Sequence, residues 1–259
     1  MTNQLKKPGK RENPGQTVKK GTIYGVGLGP GAVDLVSVRA DRLVRSARHV
    51  AFFRKAGKPG QARQIVADLL PDTAVEFAME YPVTTEIPLS DPRYNQILSA
   101  FYDECCHHIR TIIQAGEDVV VLCEGDPFFY GSFMHIYDRL RTDCPTEVVP
   151  AITGMSGAWT ATGRPVAWGD NILCVLMGTL PESELAARLA DTDAAVVMKI
   201  GRNLNKIRRA LVTAGRAEEA YIVEYATMPR QSVYRLKDYS AELAPYFSII
   251  TLHGKGRTP

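Results

Sequence analysis

The sequence has no apolar run long enough to cross a bilayer. Its longest uncharged stretch, Val148 to Gly163, is interrupted by Pro150, Gly154 and Gly157, whereas a spanning helix needs about 20 apolar residues. Cysteine is scarce. Cys105, Cys106, Cys123, Cys144 and Cys174 are odd in number, contain no Cys-x-x-Cys pair and offer no disulfide framework, which fits a reducing, cytoplasmic setting. Neither sign of charge dominates, with 31 Lys and Arg against 28 Asp and Glu. The imbalance there is sits at the N-terminus, where Lys6, Lys7, Lys10, Arg11, Lys19 and Lys20 face Glu12 alone. No apolar stretch follows them, so they do not form a signal peptide. Residues 1–20 are expected to be a disordered, solvated basic arm rather than a nucleic-acid contact.

What is present is an ordinary globular composition, 45% hydrophobic and 23% charged, which excludes collagen, coiled coil and wholesale disorder. A chain of 259 residues makes one large or two small domains and needs no disulfide or metal staple to bury a core. Short apolar runs alternate with helix-period segments, the pattern of an α/β fold. Strands are expected over 22–28, 49–53, 74–79, 118–123 and 146–149, with helices over 35–47, 61–70, 91–115 and 132–141. Asp91-Pro92 gives the long helix its cap and first-turn proline. Gly, Thr and Ser dominate 150–170, which marks a boundary between one domain over 21–150 and another over 151–259. In the second, strands are expected over 171–177, 194–200, 219–225, 232–237 and 247–252, with helices over 182–190 and 203–214. The last three strands follow one another with little helix between them, so their sheet should be mixed.

Several motifs carry chemical potential. Gly25-Val26-Gly27-Leu28-Gly29-Pro30-Gly31 directly follows the first strand, where glycine lets backbone approach a ligand. It is not a dinucleotide fingerprint: Pro30 stands where the third glycine belongs, and no acid lies in His49–Arg54 to hold a ribose. A tight strand-to-helix turn and a ligand loop both fit it. The apolar run Val119–Cys123 delivers Glu124, Asp126, Phe128, Phe129 and Tyr130 to the C-terminal end of a strand, where open α/β sheets bind ligands. An Asp-Pro turn alone explains the acids less well than a binding site does. Thr153, Gly154, Ser156 and Gly157 open a helix whose amides suit a carboxylate or a ribose, or are simply capped. Cys105 and His108 share a helix face, but a structural zinc site wants four ligands and no second cluster exists, so no metal is expected. Arg54, Arg164, Arg202, Arg230 and Arg235 stand at turns and strand ends. Their convergence on a cleft would suit a polycarboxylate.

In order along the chain these pieces resemble the tetrapyrrole methylase family, the S-adenosylmethionine-dependent enzymes of cobalamin and sirohaem synthesis. The resemblance rests on VGLGPG at 26–31 with Leu35 and Ala40 after it, EGDPFFYGS at 124–132, VVPAITGMSGA at 148–158 and EYAT at 224–227. It spans about residues 22 to 252. Ala151 departs from the pattern, since the family usually has glycine after that proline. The fold it implies is two α/β domains with the cofactor in the cleft between them, in a homodimer. Pro30 should face the cleft. Glu124, Gly125, Asp126 and Phe129 should line the methionine and ribose end of S-adenosylmethionine, with Thr153 and Gly154 opposite. Ile200, Ala226 and Thr227 should enclose the adenine through backbone groups and apolar surface. The Glu80-Tyr81-Pro82 segment and the 124–135 and 154–163 runs look most like the members that methylate precorrin-2 at its C-20 meso carbon. Such a reaction needs alignment of an already activated methyl and then removal of a proton from the same carbon. Glu124 and Asp126 are the candidate bases, followed by Tyr130 and His135. Arg54, Arg164 and Arg230 are candidates for the substrate's acetate and propionate arms. Rival readings are methylation of the cobalt-bearing ring or of another position, a metal chelatase using His107, His108 or His135, and a precorrin carrier. The substrate is a small molecule in each case, with neither nucleic acid nor membrane as partner.

Overall fold

The computed structural model describes residues 19–84, 87 and 91–256. The basic arm expected over 1–20 lies outside them except for Lys19 and Lys20, and Lys20 donates to the Asp143 carbonyl at 2.8 Å.

The run Val119–Cys123 is apolar on both faces because it is the central strand of a sheet covered on both sides. The first sheet comprises β1 (Ile23–Gly27), β2 (His49–Lys55), β3 (Val75–Tyr81), β4 (Val119–Cys123) and β5 (Thr146–Val149), in the order β3-β2-β4-β1-β5 and parallel throughout. One face packs on α3 (Pro92–Gln114) and α4 (Phe133–Leu140) through Ile109, Ile113, Phe133 and Ile136. The other packs on α1 (Val38–Arg45) and α2 (Gln61–Ile65) through Ala40, Val44, Ala62 and Ile65. Parallel strands put every C-terminal end on one edge of the sheet. The loops after β1, β4 and β5 are therefore neighbours.

The second sheet holds β6 (Leu173–Met177), β7 (Ala194–Met198), β8 (Tyr221–Glu224), β9 (Ser232–Arg235) and β10 (Ser248–Leu252), in the order β6-β7-β10-β8-β9. β6 and β7 are parallel and the other pairings antiparallel, so the sheet is mixed. α6 (Glu182–Ala190) and α7 (Leu204–Thr213) cover it through Leu185, Leu189, Leu204 and Ile207. α5 (Gly154–Ala161) leads from β5 into this half and packs against β8 and β10. Two successive antiparallel steps make β8 run the same way as β7. The ends of β7 and β8 and the start of β10 thus share one edge.

Some boundaries move for local reasons. The helix expected from 35 begins at Val38, because Ser37 caps it by accepting from the Ala40 amide at 3.2 Å, while Val33–Leu35 forms a separate 3-10 turn. The helix expected to 70 ends at Ile65, and the turns that follow run into Pro71, which disfavours helix at the residue before it. Ala217–Glu219 and Leu236–Asp238 are 3-10 turns that trim the strands expected there. The long helix starts where Asp91-Pro92 place it, with Asp91 accepting from the Arg93 amide at 2.9 Å. Cys105 and Cys106 on that helix point into the core while His107 and His108 face out.

Candidate functional site

The C-terminal edge of the first sheet faces the edge of the second that holds the ends of β7 and β8, and contacts from Ala32 to Thr227 and from Lys199 to Tyr130 span the trough between them. The loop after β1 forms its floor. Gly27 is glycine because three chains meet there: a Cβ would stand 2.6 Å from the Ala151 Cβ, 2.8 Å from the Gly125 carbonyl oxygen and 2.9 Å from Pro127. The Gly125 amide donates to the Gly29 carbonyl at 2.9 Å, joining the loops after β1 and β4. Pro30 is buried between Gly157 of α5 and the Ala226–Thr227 loop, so it packs the floor instead of lining open space. The Ala32 amide donates to Thr227 Oγ1 at 3.2 Å and ties this floor to the second half.

Asp126 is a staple. Its Oδ1 accepts from the Phe128 amide at 2.9 Å and its Oδ2 from the Ala151 amide at 3.0 Å, fixing the β4 loop against the chain that leads into α5. Glu124 differs. It is open to water along the trough, yet the protein walls around it raise its carboxyl to about 7 by desolvation, with the Ala62 amide pulling the other way. Tyr81 lies close by. Burial holds its hydroxyl well above the ordinary range, opposed by a short hydrogen bond with Ser132.

Gly125 and Gly154 leave bare backbone on two walls. A Cβ on Gly125, which has φ +62°, would meet only the Gly154 nitrogen, at 3.8 Å. Thr153 caps α5 without a side-chain bond to its amides, its hydroxyl instead lying 3.1 Å from Ser156 Oγ. Free helix amides beside exposed backbone suit a ligand bearing a carboxylate and hydroxyls, the chemistry of an amino acid joined to a ribose. Phe129 stands half-buried on the same loop, edge-on to Tyr130 at 4.8 Å.

Backbone strain marks the same place. Among the described residues four non-glycine residues have positive φ: Tyr130 (54°), Lys199 (54°), Tyr225 (51°) and Thr227 (66°). All four sit in loops on the two facing edges. Such conformations persist where the surroundings over-determine them, which concentrates them at functional sites.

Several expected residues lie elsewhere. Ile200 is 1% exposed within the second core, so its side chain offers no surface to an adenine. Arg164 is on the opposite edge, over the Tyr221 ring that opens β8, where it lines a cavity of ≈ 390 Å³ with Trp168, Arg235 and His253. Arg54 ends β2 on the correct edge, but Glu80 holds it at 2.5 Å. Arg230 stacks on the Tyr225 ring at 3.6 Å, at the rim. Arg54 and Arg230 therefore border the trough while Arg164 does not. His135 packs on Tyr102, their rings 4.5 Å apart. Two contributors escaped the sequence reading. Tyr246, 82% exposed just before β10, stands within electrostatic reach of Glu124 from the facing edge. Lys199 reaches across to Tyr130, its ammonium 5.9 Å from the ring centroid. The signal available was an Ala-Pro-Tyr-Phe run immediately before a strand for Tyr246, and a lone lysine ending a wholly apolar strand for Lys199.

A sequence model of the tetrapyrrole (corrin/porphyrin) methylases matches residues 22–240. The precorrin-2 C(20)-methyltransferase of a Sinorhizobium species is 46% identical over 90% of this chain and 96% of its own length. Two solved structures share the fold. One is a cobalt precorrin-4 methyltransferase of cobalamin biosynthesis, at TM-score 0.69 and 20% identity, covering 90% of this chain and 94% of that one. The other is the uroporphyrin-III C-methyltransferase of Thermus thermophilus complexed with S-adenosyl homocysteine, at TM-score 0.62 and 24% identity, covering 89% and 97%.

Proposed function

This chain belongs to the tetrapyrrole (corrin/porphyrin) methylases, and on that premise we propose that it methylates precorrin-2 at C-20 to give precorrin-3A. The observation that carries this reading is the 46% identity, nearly end to end, with a precorrin-2 C(20)-methyltransferase.

When bound, S-adenosylmethionine supplies a methyl group already activated by its sulfonium. The bare backbone of Gly125 and Gly154 and the first amides of α5 suit its methionine and ribose parts, and Ala226 and Thr227 lie on the facing edge for its base. Phe128, Tyr130 and Tyr246 are 46%, 47% and 82% exposed and offer ring surfaces to a flat macrocycle. The C-20 carbon, once methylated, must release a proton. Glu124 takes it in this reading: a carboxyl near 7 is balanced between accepting and releasing a proton at neutral pH, and its opening to water lets the proton leave. Asp126 is a positioning residue, since both of its oxygens are engaged by backbone amides. The homodimer that the family resemblance implies and the cytoplasmic setting that the cysteine pattern suggests belong to the same reading, and sedimentation velocity tests the first.

The test is anaerobic incubation with metal-free precorrin-2 and methyl-labelled S-adenosylmethionine, followed by mass spectrometry and carbon NMR. One methyl at the C-20 meso position is expected. Transfer to the cobalt-bearing ring alone, or to another carbon, would overturn the substrate assignment while leaving the family intact.

A further inference from the structure

Lys199 directly follows β7 and is the only charged residue in a run, Ala194–Ile200, that is otherwise apolar. Its backbone is left-handed at φ 54°, and its neighbours hold it so. Asn203 Nδ2 donates to its carbonyl at 3.2 Å. Gly178 makes room for that carbonyl, since a Cβ on Gly178 would stand 2.9 Å from it. The strain turns an exposed side chain off the end of the strand and across the trough, where its ammonium sits 5.9 Å from the ring centroid of Tyr130. Tyr130 is left-handed as well, also at φ 54°. Two strained residues, one from each sheet's edge, thus meet face to ammonium over the mouth of the trough.

The charge of Lys199 is unspent. It has no carboxylate partner among the described residues. Its neighbours at the rim differ: Arg54 is bound by Glu80, and Arg230 lies flat on Tyr225 at 3.6 Å. A lone ammonium held only by an aromatic face keeps most of its attraction for an anion, because a cation–π contact at an exposed site is weak and a carboxylate displaces it readily. The ligand proposed for this trough carries carboxylates on flexible arms around a flat ring.

We propose that Lys199 binds one side-arm carboxylate of the macrocycle, with Tyr130 holding its ammonium at the trough mouth until the arm arrives. The proposal rests on the tetrapyrrole reading above. Transfer of the ammonium from ring to carboxylate also uncovers the face of Tyr130, which is then free to lie against the incoming macrocycle. Lys199 is a specificity residue here and takes no part in the transfer of methyl or proton.

The experiment is steady-state methylation of metal-free precorrin-2 under anaerobic conditions, comparing wild type with Lys199→Met, Lys199→Arg and Tyr130→Leu. Lys199→Met should raise KM for precorrin-2 on the order of 10- to 100-fold, the worth of one charge-assisted hydrogen bond. Its kcat should stay within a few-fold, and its affinity for S-adenosylhomocysteine by calorimetry should be unchanged. Lys199→Arg should restore most of the loss. Tyr130→Leu removes both the resting place of the ammonium and a ring face for the macrocycle, so its KM should rise while the salt dependence of binding stays as steep as in wild type. Raising ionic strength should weaken precorrin-2 binding by wild type more steeply than by Lys199→Met, and Lys199→Gln gives the same comparison if the methionine variant fails to fold. A Lys199→Met KM within twofold of wild type, or a loss confined to kcat, would overturn the proposal alone. A wild type that binds S-adenosylhomocysteine but moves no methyl to precorrin-2 would overturn the substrate reading, and this proposal with it.

Discussion

Replacing Asp126 by alanine tests the geometry of the trough most directly. Its carboxylate accepts one amide from its own loop, Phe128, and one from the chain entering α5, Ala151, at 2.9 and 3.0 Å. A hydrogen bond to a charged group contributes about 1.5–3 kcal/mol, and removing the acceptor leaves the donor to find water. Asp126 is half-buried, so water replaces part of each bond, and the expected loss for the pair is about 2–4 kcal/mol. It should appear as a lowered urea midpoint with an unchanged slope. The affinity for S-adenosylhomocysteine should fall more than tenfold, because Gly125 and Gly154 sit on the two segments the carboxylate ties together. Asp126→Asn keeps one acceptor and turns a donor toward the other amide, so it should fall between alanine and wild type. A folded Asp126→Ala protein with the wild-type urea midpoint and wild-type affinity would refute the staple. Lowered stability with full affinity would refute only the link to the cofactor.

Glu124 gives a pH prediction. Its carboxyl is raised in the folded chain to about 7, so its contribution favours folding below the unfolded pKa and is lost as pH rises through about 7. Glu124→Gln should therefore gain stability relative to wild type between pH 5 and pH 8, measured by thermal melting, and an unchanged difference would count against the shift. The same variant should lose the limb of the kcat profile that rises through pH 7. If that limb survives, the base is another group. Gly27→Ala places a methyl 2.6 Å from the Ala151 Cβ. Overpacking of this kind costs about 1–3 kcal/mol, and a variant with the wild-type Tm would show that the loops part more easily than described. Burial pushes the Cys105 thiol up to about 12 and the Cys106 thiol up to about 11. Neither should react with a thiol reagent at pH 8 until urea opens the protein, and labelling at the rate of a free thiol would contradict their placement.

The first sheet was legible because parallel strands covered on both faces are written as plain apolar runs, of which Val119–Cys123 is the clearest. The carboxylates after it were legible too, as was their position at the C-terminal edge of the sheet, since the direction of a parallel strand fixes which end its loop occupies. The division of labour between them was not. Glu124 and Asp126 stand two residues apart, and only the two amides that Asp126 joins, Phe128 and Ala151, separate a staple from a carboxyl open to water. In the mixed sheet the same rule of ends fails. Arg164 was expected at the cleft, yet it packs on Tyr221 at the start of β8, and that start lies on the edge away from the trough. Sequence pattern marks that a strand exists without saying which way it runs beside its neighbours. At Ile200 the strand was expected to continue, but the backbone turns left-handed at Lys199, and the turn sends the Ile200 side chain into the core and Lys199 across the gap, leaving only Ile200 backbone for an adenine. No composition or period encodes that reversal, because lysine is a poor residue for it. The conformation is imposed by Asn203 and by the space at Gly178, both contacts made only once β6, β7 and α7 have packed. Residues of this kind become visible only when the two sheets meet, and at this trough Tyr130 and Lys199 are such a pair, one from each edge.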